Sequence, residues 1–477
     1  MHKLPLTDAF FLLMESSRLP MHVAGLSVFS LPPGVDSHSF LQELRDRICT
    51  VEEYRNPFNV RVKSSLLGDA GGMHWSADRG VDMEYHVRQS TLRTPRCRES
   101  LFERVSSLHE QVLDRSRPLW ELHLIEGLKD RQFAAYFKVH HAAVDGVGAM
   151  HLISSMYARH HRTRIKESPF SKQAHESYKR RLQEKRQEVV RPTEQEARTV
   201  SEILREQLGT TVSVSGAVQE WAKVLLGGQC DITMPYKDVP RSPLNQRLTG
   251  AREFVGGSWS LERIRQCGKA YDGTINDVVM AMCAGALRHY LQDIKELPSK
   301  SLTAMAPVSF RSSQDVESSN AVGMVCVELG TDEPDAARRM KRIQASMGYA
   351  KSQLQSMTAR EVILYNSITH APMVLSLIAG KGEKLPAWNT VISNVPGPQE
   401  QLYWNGAKLQ ALYPVSMVVD GIGLNFTVGS NHNNLDFGIL SCPDLVPGVQ
   451  CLVDYAEESL SELEEAAGIS HMRRQKR

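Results

Sequence analysis

The chain has 477 residues, 42% hydrophobic and 23% charged, which is ordinary globular usage and excludes wholesale disorder or a collagen-like repeat. Lys plus Arg is 56 and Asp plus Glu is 54, so the net charge of +2 carries no signature of a general nucleic-acid binder. Eight cysteines with no C-x-x-C pair are too dilute for a disulfide scaffold and lack zinc-ribbon spacing, so a reducing cytosol is expected.

Along the chain, the spacing of Ala9, Leu12 and Leu13 predicts an opening helix capped by Thr7 or Asp8 and ended before Pro20. The apolar run Phe10 to Met14 is too short for a signal peptide and is flanked by Asp8 and Glu15. Val23 to Phe29 reads as a strand, and Phe40 to Ile48 and Cys97 to Leu113 as helices. Leu119 to Glu126 and Phe133 to Val139 read as an antiparallel pair joined by Gly127 to Arg131, and Val147 to Tyr157 as a helix. From about Arg159 to Glu206 the composition turns charged, as in Lys179 to Arg186, which predicts a solvated helix or linker. Beyond it, Asp277 to Leu291 reads as a helix with Asn276 or Thr274 near its start. Leu302 to Val308 and Ala321 to Leu329 read as strands, and Val415 to Thr427 with Leu435 to Ser441 as a further strand pair. No run of about 18 apolar residues predicts a membrane-spanning helix.

The chemistry is sought first in common motifs. G-x-S-x-G, G-x-x-x-x-G-K-[ST], G-x-G-x-x-G and H-E-x-x-H are all absent, which weakens serine hydrolase, P-loop, dinucleotide and zincin readings. What stands out is His140-His141-Ala142-Ala143-Val144-Asp145-Gly146 at the end of a predicted strand. Strand neighbours point to opposite faces, so one histidine is anchored in the domain and the other presented outward. Alternation puts His141 on the face of Phe137 and Val139. An imidazole is mostly an unprotonated base at neutral pH, suited to taking a proton from a hydroxyl or amine. Asp145 followed by Gly146 suits a turn whose carboxylate binds backbone or an arginine. Two adjacent histidines alone also fit a core residue beside a surface one. A metal site is disfavoured because adjacent strand residues splay apart.

H-H-x-x-x-D-G resembles the signature of the CoA-dependent acyltransferase superfamily. More specifically, the chain resembles bacterial wax ester synthases/diacylglycerol acyltransferases. The resemblance runs through Pro5-Leu6-Thr7-Asp8 with Phe11-Leu12 and Glu15, Pro20-Met21-His22-Val23, Arg117-Pro118-Leu119-Trp120, Thr274-Ile275-Asn276-Asp277, Pro307 to Arg311 and Ser393 to Pro398. Ala24 departs from the glycine usual after Pro-Met-His-Val.

This resemblance implies an α+β (mixed α/β) fold. Two chloramphenicol acetyltransferase-like domains, each a mixed sheet with flanking helices, would meet at an active-site tunnel. The expected domains are 1–163 and 236–477, with a charged helical linker over 164–235. The implied activity moves a long-chain acyl group from acyl-CoA to a fatty alcohol or diacylglycerol, with no covalent acyl-enzyme. His141 would be the general base, with His140, Asp145 and Asn276 in the catalytic group. Asn276 would donate to the oxyanion, an N-cap being its alternative reading. Asp145 would pair with Arg311, a structural role. Pro118, Leu119, Trp120, Gly146 and Asp277 would contact substrate, although core packing is the more ordinary reading of the Pro-Leu-Trp run. The apolar segment 371–379 would line the acyl pocket through Met373 and Leu377. No metal is implied, and no cofactor beyond acyl-CoA as substrate. Water-insoluble substrates imply a cytoplasmic protein peripherally associated with the inner face of the membrane or with lipid inclusions. The basic tail Arg473 to Arg477 is a candidate anchor. The alternatives are a carrier-protein acyl donor or an amine acceptor, and a lipid-binding protein with a vestigial site.

Overall fold

The computed structural model describes residues 2–4, 6–65, 68–93, 97–178, 235–309, 322–355 and 359–469. The expectations for Lys179 to Arg186, Arg311 and the tail Arg473 to Arg477 fall outside these residues. The helices are α1 (Leu6–Met14), α2 (Ser37–Cys49), α3 (Met83–His86), α4 (Arg98–His109), α5 (Gly146–Ser155), α6 (Leu261–Ala270), α7 (Ile275–Asp293), α8 (Ala336–Gln355), α9 (Ala359–Ile378) and α10 (Cys451–Ala466). The strands are β1 (His2–Lys3), β2 (His22–Ser30), β3 (Val60–Ser65), β4 (Gly68–Ala77), β5 (Val87–Thr91), β6 (Trp120–Leu128), β7 (Gln132–His140), β8 (Glu253–Ser260), β9 (Thr303–Ser309), β10 (Val322–Glu328), β11 (Thr390–Val395), β12 (Tyr403–Trp404), β13 (Ala407–Val415), β14 (Leu424–Asn431) and β15 (Asn434–Ser441).

Short polar side chains set the helix starts. Asp36 accepts the Ser39 N–H at 2.9 Å and caps α2, and Asp145 accepts the Gly148 N–H at 2.6 Å and caps α5. Thr274, not Asn276, caps α7, in a capping box closed by Asp277. The opening helix begins at Leu6, so Thr7 and Asp8 lie inside its first turn rather than before it. Leu12 is buried, while Leu13 is 55% exposed and does not join the buried stripe.

The strands build two mixed six-stranded sheets, each with helices against it, and the molecule has two domains. In order, the sheets are β12-β13-β2-β7-β6-β5 and β10-β9-β11-β14-β15-β8, with a small β1-β4-β3 sheet beside the first. The predicted β6–β7 hairpin is present, with a register shift between Ile125 and Leu128. The predicted strand Val415 to Thr427 is not one element. Val415 ends β13, which pairs with β2, and β14 starts at Leu424. The apolar run conceals a break at Asp420-Gly421. There Gly421 adopts φ +83, and the Asp420 carboxylate binds Arg18 and the Leu248 N–H.

β12 and β13, from late in the chain, therefore complete the sheet of the first half. β13 also packs on the second sheet. Its Leu412 N–H donates to the buried Asp436 carboxylate at 2.6 Å, which also accepts from the Ser258 hydroxyl and the Asn431 amide. Burial raises the Asp436 pKa, and these three donors work against that rise. A Cβ at Gly438 of β15 would run into the carbonyl oxygen of Pro414 of β13. The contact between the sheets thus depends on a bare backbone. Gly438→Ala is expected to lose about 1–3 kcal/mol of unfolding free energy in a denaturant titration, the usual overpacking range. An unchanged midpoint would contradict this close approach.

Candidate functional site

The site is built on the end of β7. His140 is its last residue and is fully buried. Its backbone N–H donates to the Leu119 carbonyl at 3.0 Å, tying it to the residue that leads into β6. Its Nδ1 accepts the Ala142 N–H at 3.0 Å, so the neutral ring carries its proton on Nε2. That nitrogen lies 3.2 Å from Glu15 Oε1. Glu15 follows α1, and it also accepts from the Met21 N–H at 3.4 Å and from Arg115 Nε at 3.0 Å. Burial raises the Glu15 pKa, but His140 and Arg115 together hold it below the usual range.

The strand stops at His140, so its alternation does not carry through to His141. The ring of His141 instead lies on Phe11 of α1, stacked with centroids 4.0 Å apart. Its backbone N–H donates to the Met21 carbonyl at 2.9 Å. Neither ring nitrogen has a hydrogen-bond partner among the described residues, and only Nδ1 is a buried orphan, so Nε2 is the nitrogen that reaches open space. Burial pushes the His141 pKa down to about 4; Asp145 pulls it up and His140 pushes it further down. Its folded pKa is thus below its unfolded value. The ring is uncharged at neutral pH and costs stability only as pH falls from about 6.5 toward the folded value.

Asp145 is the α5 cap, with Oδ1 on the Gly148 N–H. A Cβ at Gly148 would meet that oxygen at 2.9 Å, so a glycine two residues after the motif matters for this cap. A Cβ at Gly146 would meet nothing within 4 Å, leaving room beside the turn. His140, His141, Asp145 and Gly146 are therefore brought together in one short turn.

The remaining expected residues lie as follows. Leu119 is buried with Ala142 in one apolar cluster, with Pro118 buried next to it. Trp120 is fully buried, stacked on His86 at 4.4 Å, with its Nε1–H on the Phe58 carbonyl at 3.1 Å. Trp120 is therefore packed in the core of the first domain. Met373 and Leu377 of α9 share a cluster with Phe11, which connects them to the His141 stack. Asn276 is half-buried at the second position of α7, and its side chain has no hydrogen bond among the described residues. Asp277 is nearly buried, and its carboxylate takes the Thr274 N–H and hydroxyl, both at 2.8 Å. Among the described residues no group of three side chains is arranged to hold a metal ion. Sequence reasoning assigned no role to Phe11 or Glu15. Their signal was the i, i+4 spacing, which puts Glu15, just past the end of α1, over the Phe11 turn of the helix.

Behind the turn lies a second buried polar group. His22 pairs with His140 across the sheet and donates from Nε2 to the His109 carbonyl at 2.9 Å. His109 Nε2–H is 2.7 Å from the Ser416 carbonyl, leaving Nδ1 to accept from the Tyr136 hydroxyl at 2.7 Å. Burial holds both rings neutral, His109 down to about 3.

The chain matches two family models: the wax ester synthase/diacylglycerol acyltransferase catalytic domain over residues 4–279, and the C-terminal domain of the same family over 318–464. It is 38% identical over 464 residues to "Probable diacyglycerol O-acyltransferase tgs2" of Mycobacterium tuberculosis, covering 97% of this chain and 98% of that one. It is 36% identical to the O-acyltransferase WSD of Acinetobacter baylyi, covering 96% of each. The fold superposes on the wax ester synthase/diacylglycerol acyltransferase of Marinobacter aquaeolei VT8 with a TM-score of 0.77 at 36% identity, covering 98% of this chain and all of the other. The first condensation domain of the calcium-dependent antibiotic synthetase shares the fold at a TM-score of 0.58 and 14% identity, over 98% of this chain and 96% of that domain.

Glu15→Ala strips the acceptor from Met21 and Arg115 and the carboxylate from beside His140 Nε2, and is expected to cost about 1–3 kcal/mol of unfolding free energy. Glu15→Gln keeps a carbonyl acceptor and is expected to cost less than half as much. Equal losses in denaturant titrations would show that the charge, not the acceptor geometry, holds the turn.

Proposed function

The chain belongs to the wax ester synthase/diacylglycerol acyltransferase family and is an acyltransferase, and from that premise we propose its reaction. The donor is a long-chain acyl-CoA and the acceptor a fatty alcohol or diacylglycerol. The observation that carries this reading is the uncharged His141 ring, whose Nε2 reaches open space while its flank rests on Phe11.

His141 Nε2 takes the proton of the acceptor hydroxyl as its oxygen attacks the thioester carbonyl. A C–O bond forms, the tetrahedral intermediate collapses, and the C–S bond breaks. The CoA thiolate leaves and recovers the proton from the imidazolium. The acyl group passes directly between substrates, with no bond to the protein. Partial desolvation makes the ring a weak base, and the negative charge of Asp145 offsets this by favouring the imidazolium. The role assigned to His140 is to hold the turn, through Glu15 and Ala142. Asn276, with its amide unengaged at the head of a helix, is assigned to the oxyanion, where one such donor is worth about 10²–10³ in rate. In the same reading Arg311 pairs with Asp145, and the acyl chain lies along α9 by Met373 and Leu377, within a tunnel between the domains. The open space at Gly146 admits substrate beside the turn. Acyl-CoA enters as substrate and no other cofactor is assigned. The protein works in the cytoplasm, peripherally at the inner face of the membrane or at lipid inclusions. No described helix is long and apolar enough to cross a membrane.

Purified protein mixed with palmitoyl-CoA and hexadecanol or diacylglycerol is expected to release free thiol only when the acceptor is present. His141→Ala is expected to slow that release by about 10²–10⁴ with an unchanged unfolding midpoint. Absence of acceptor-dependent release from the native protein would overturn this function. Loss of fold in the variant would reassign His141 as structural.

A further inference from the structure

Seven large apolar side chains are conspicuously exposed among the described residues, and four of them fall in one region. Leu13 on α1 is 55% exposed, Leu375 and Ile378 on α9 are 66% and 57% exposed, and Leu385 just beyond α9 is 40% exposed. Leu375 and Ile378 are three residues apart, so they share one face of the helix. The two helices pack together: Phe10, Phe11 and Met14 share a core cluster with Met373 and Leu377. Their inward faces are thus satisfied, while their outward faces set leucine and isoleucine in water. Such a patch on a water-soluble surface marks an interaction site.

The charges beside it favour one partner. Lys381 and Lys384 are both exposed on the turn after α9, and neither has an ion pair among the described residues. Glu383 between them turns one carboxylate oxygen inward, where it is buried and adds to the field on Arg18. The turn therefore shows two cations outward beside an apolar ridge. That combination, apolar side chains at the level of acyl chains with lysines at the level of headgroups, fits an anionic bilayer surface. The location matters too, because α1 carries Phe11 on its inner side, against His141.

We infer that the outer faces of α1 and α9, with the Lys381–Lys384 turn, form a docking surface for anionic phospholipid. This rests on the lipid-substrate reading above and deepens it by naming the surface that meets the membrane. Docked this way, the molecule places the helix that supports the general base directly at the interface that stores water-insoluble acceptors.

Flotation of the full chain with vesicles tests the assignment. Wild-type protein is expected to float with vesicles of phosphatidylcholine and phosphatidylglycerol in a ratio of about 7:3, and much less with pure phosphatidylcholine. Leu375→Ser with Ile378→Ser, and separately Lys381→Gln with Lys384→Gln, are each expected to lower the partition coefficient about tenfold or more at low salt. In vesicle-free solution, release of CoA from octanoyl-CoA with octanol is expected to stay within about twofold of wild type, showing that the variants are folded. Variants that float like wild type, or equal flotation of the wild type with both vesicle types, overturn the docking surface. Failure of CoA release by the wild type would instead reject the acyltransfer reading and leave the flotation result standing.

Discussion

A strand cannot present two consecutive side chains to the same space, and this molecule uses that limit. The last residue of β7, His140, is fixed by the Ala142 amide on one ring nitrogen and by Glu15 near the other. Its main chain is held to Leu119. The chain can then leave strand geometry at once, and His141 emerges from a turn whose far end is clamped by Asp145 on the head of α5. The outward imidazole is held by its surroundings rather than by its own hydrogen bonds, which leaves Nε2 available.

The same anchoring explains the electrostatics. A half-buried ring stacked on phenylalanine prefers to be uncharged, whereas the base proposed for this site must accept a proton during turnover. Asp145 reconciles the two, being close enough to favour the imidazolium while its own geometry is set by the helix cap. Behind the turn, His22 and His109 are held neutral by burial and engage backbone carbonyls. Neither of these two rings therefore adds positive charge behind the site at neutral pH; the buried Lys138 ammonium beside them helps keep them neutral. The second domain is locked to the first through β13, Asp436 and the Gly438–Pro414 approach.

Much of this was legible because it is written in short-range chemistry. The β6–β7 pair, the strand end at the two histidines and the helix after Asp145 follow from alternation and capping, and the structure places them there. Alternation predicts one anchored and one presented histidine, but the strand ends at His140, and it is the turn that follows which sets His141 against Phe11. What escaped is long-range. Nothing local indicates that β13 leaves its own half to pair with β2, so the run Val415 to Thr427 looked like one strand until the Asp420-Gly421 break was seen. Asn276 and Thr274 compete equally as caps in the sequence. The contest is decided by Asp277, whose carboxylate returns to the Thr274 N–H. Leu13 fits an apolar stripe by spacing, yet only packing could show that α1 buries Leu12 and leaves its neighbour outside. The sequence shows Glu15 only as an acidic flank of the apolar run; it is the fold that brings His140, Met21 and Arg115 around it.

The account stands on the protonation state of one ring. Titrating the protein with labelled histidine by NMR, with His141→Gln used to assign the resonance, measures it directly. Burial against Phe11 predicts that the His141 ring stays neutral down to a midpoint near 4. A midpoint at or above the free-imidazole value of about 6.5 would contradict the account, since the ring would then be solvated or paired as a cation rather than held ready to take a proton.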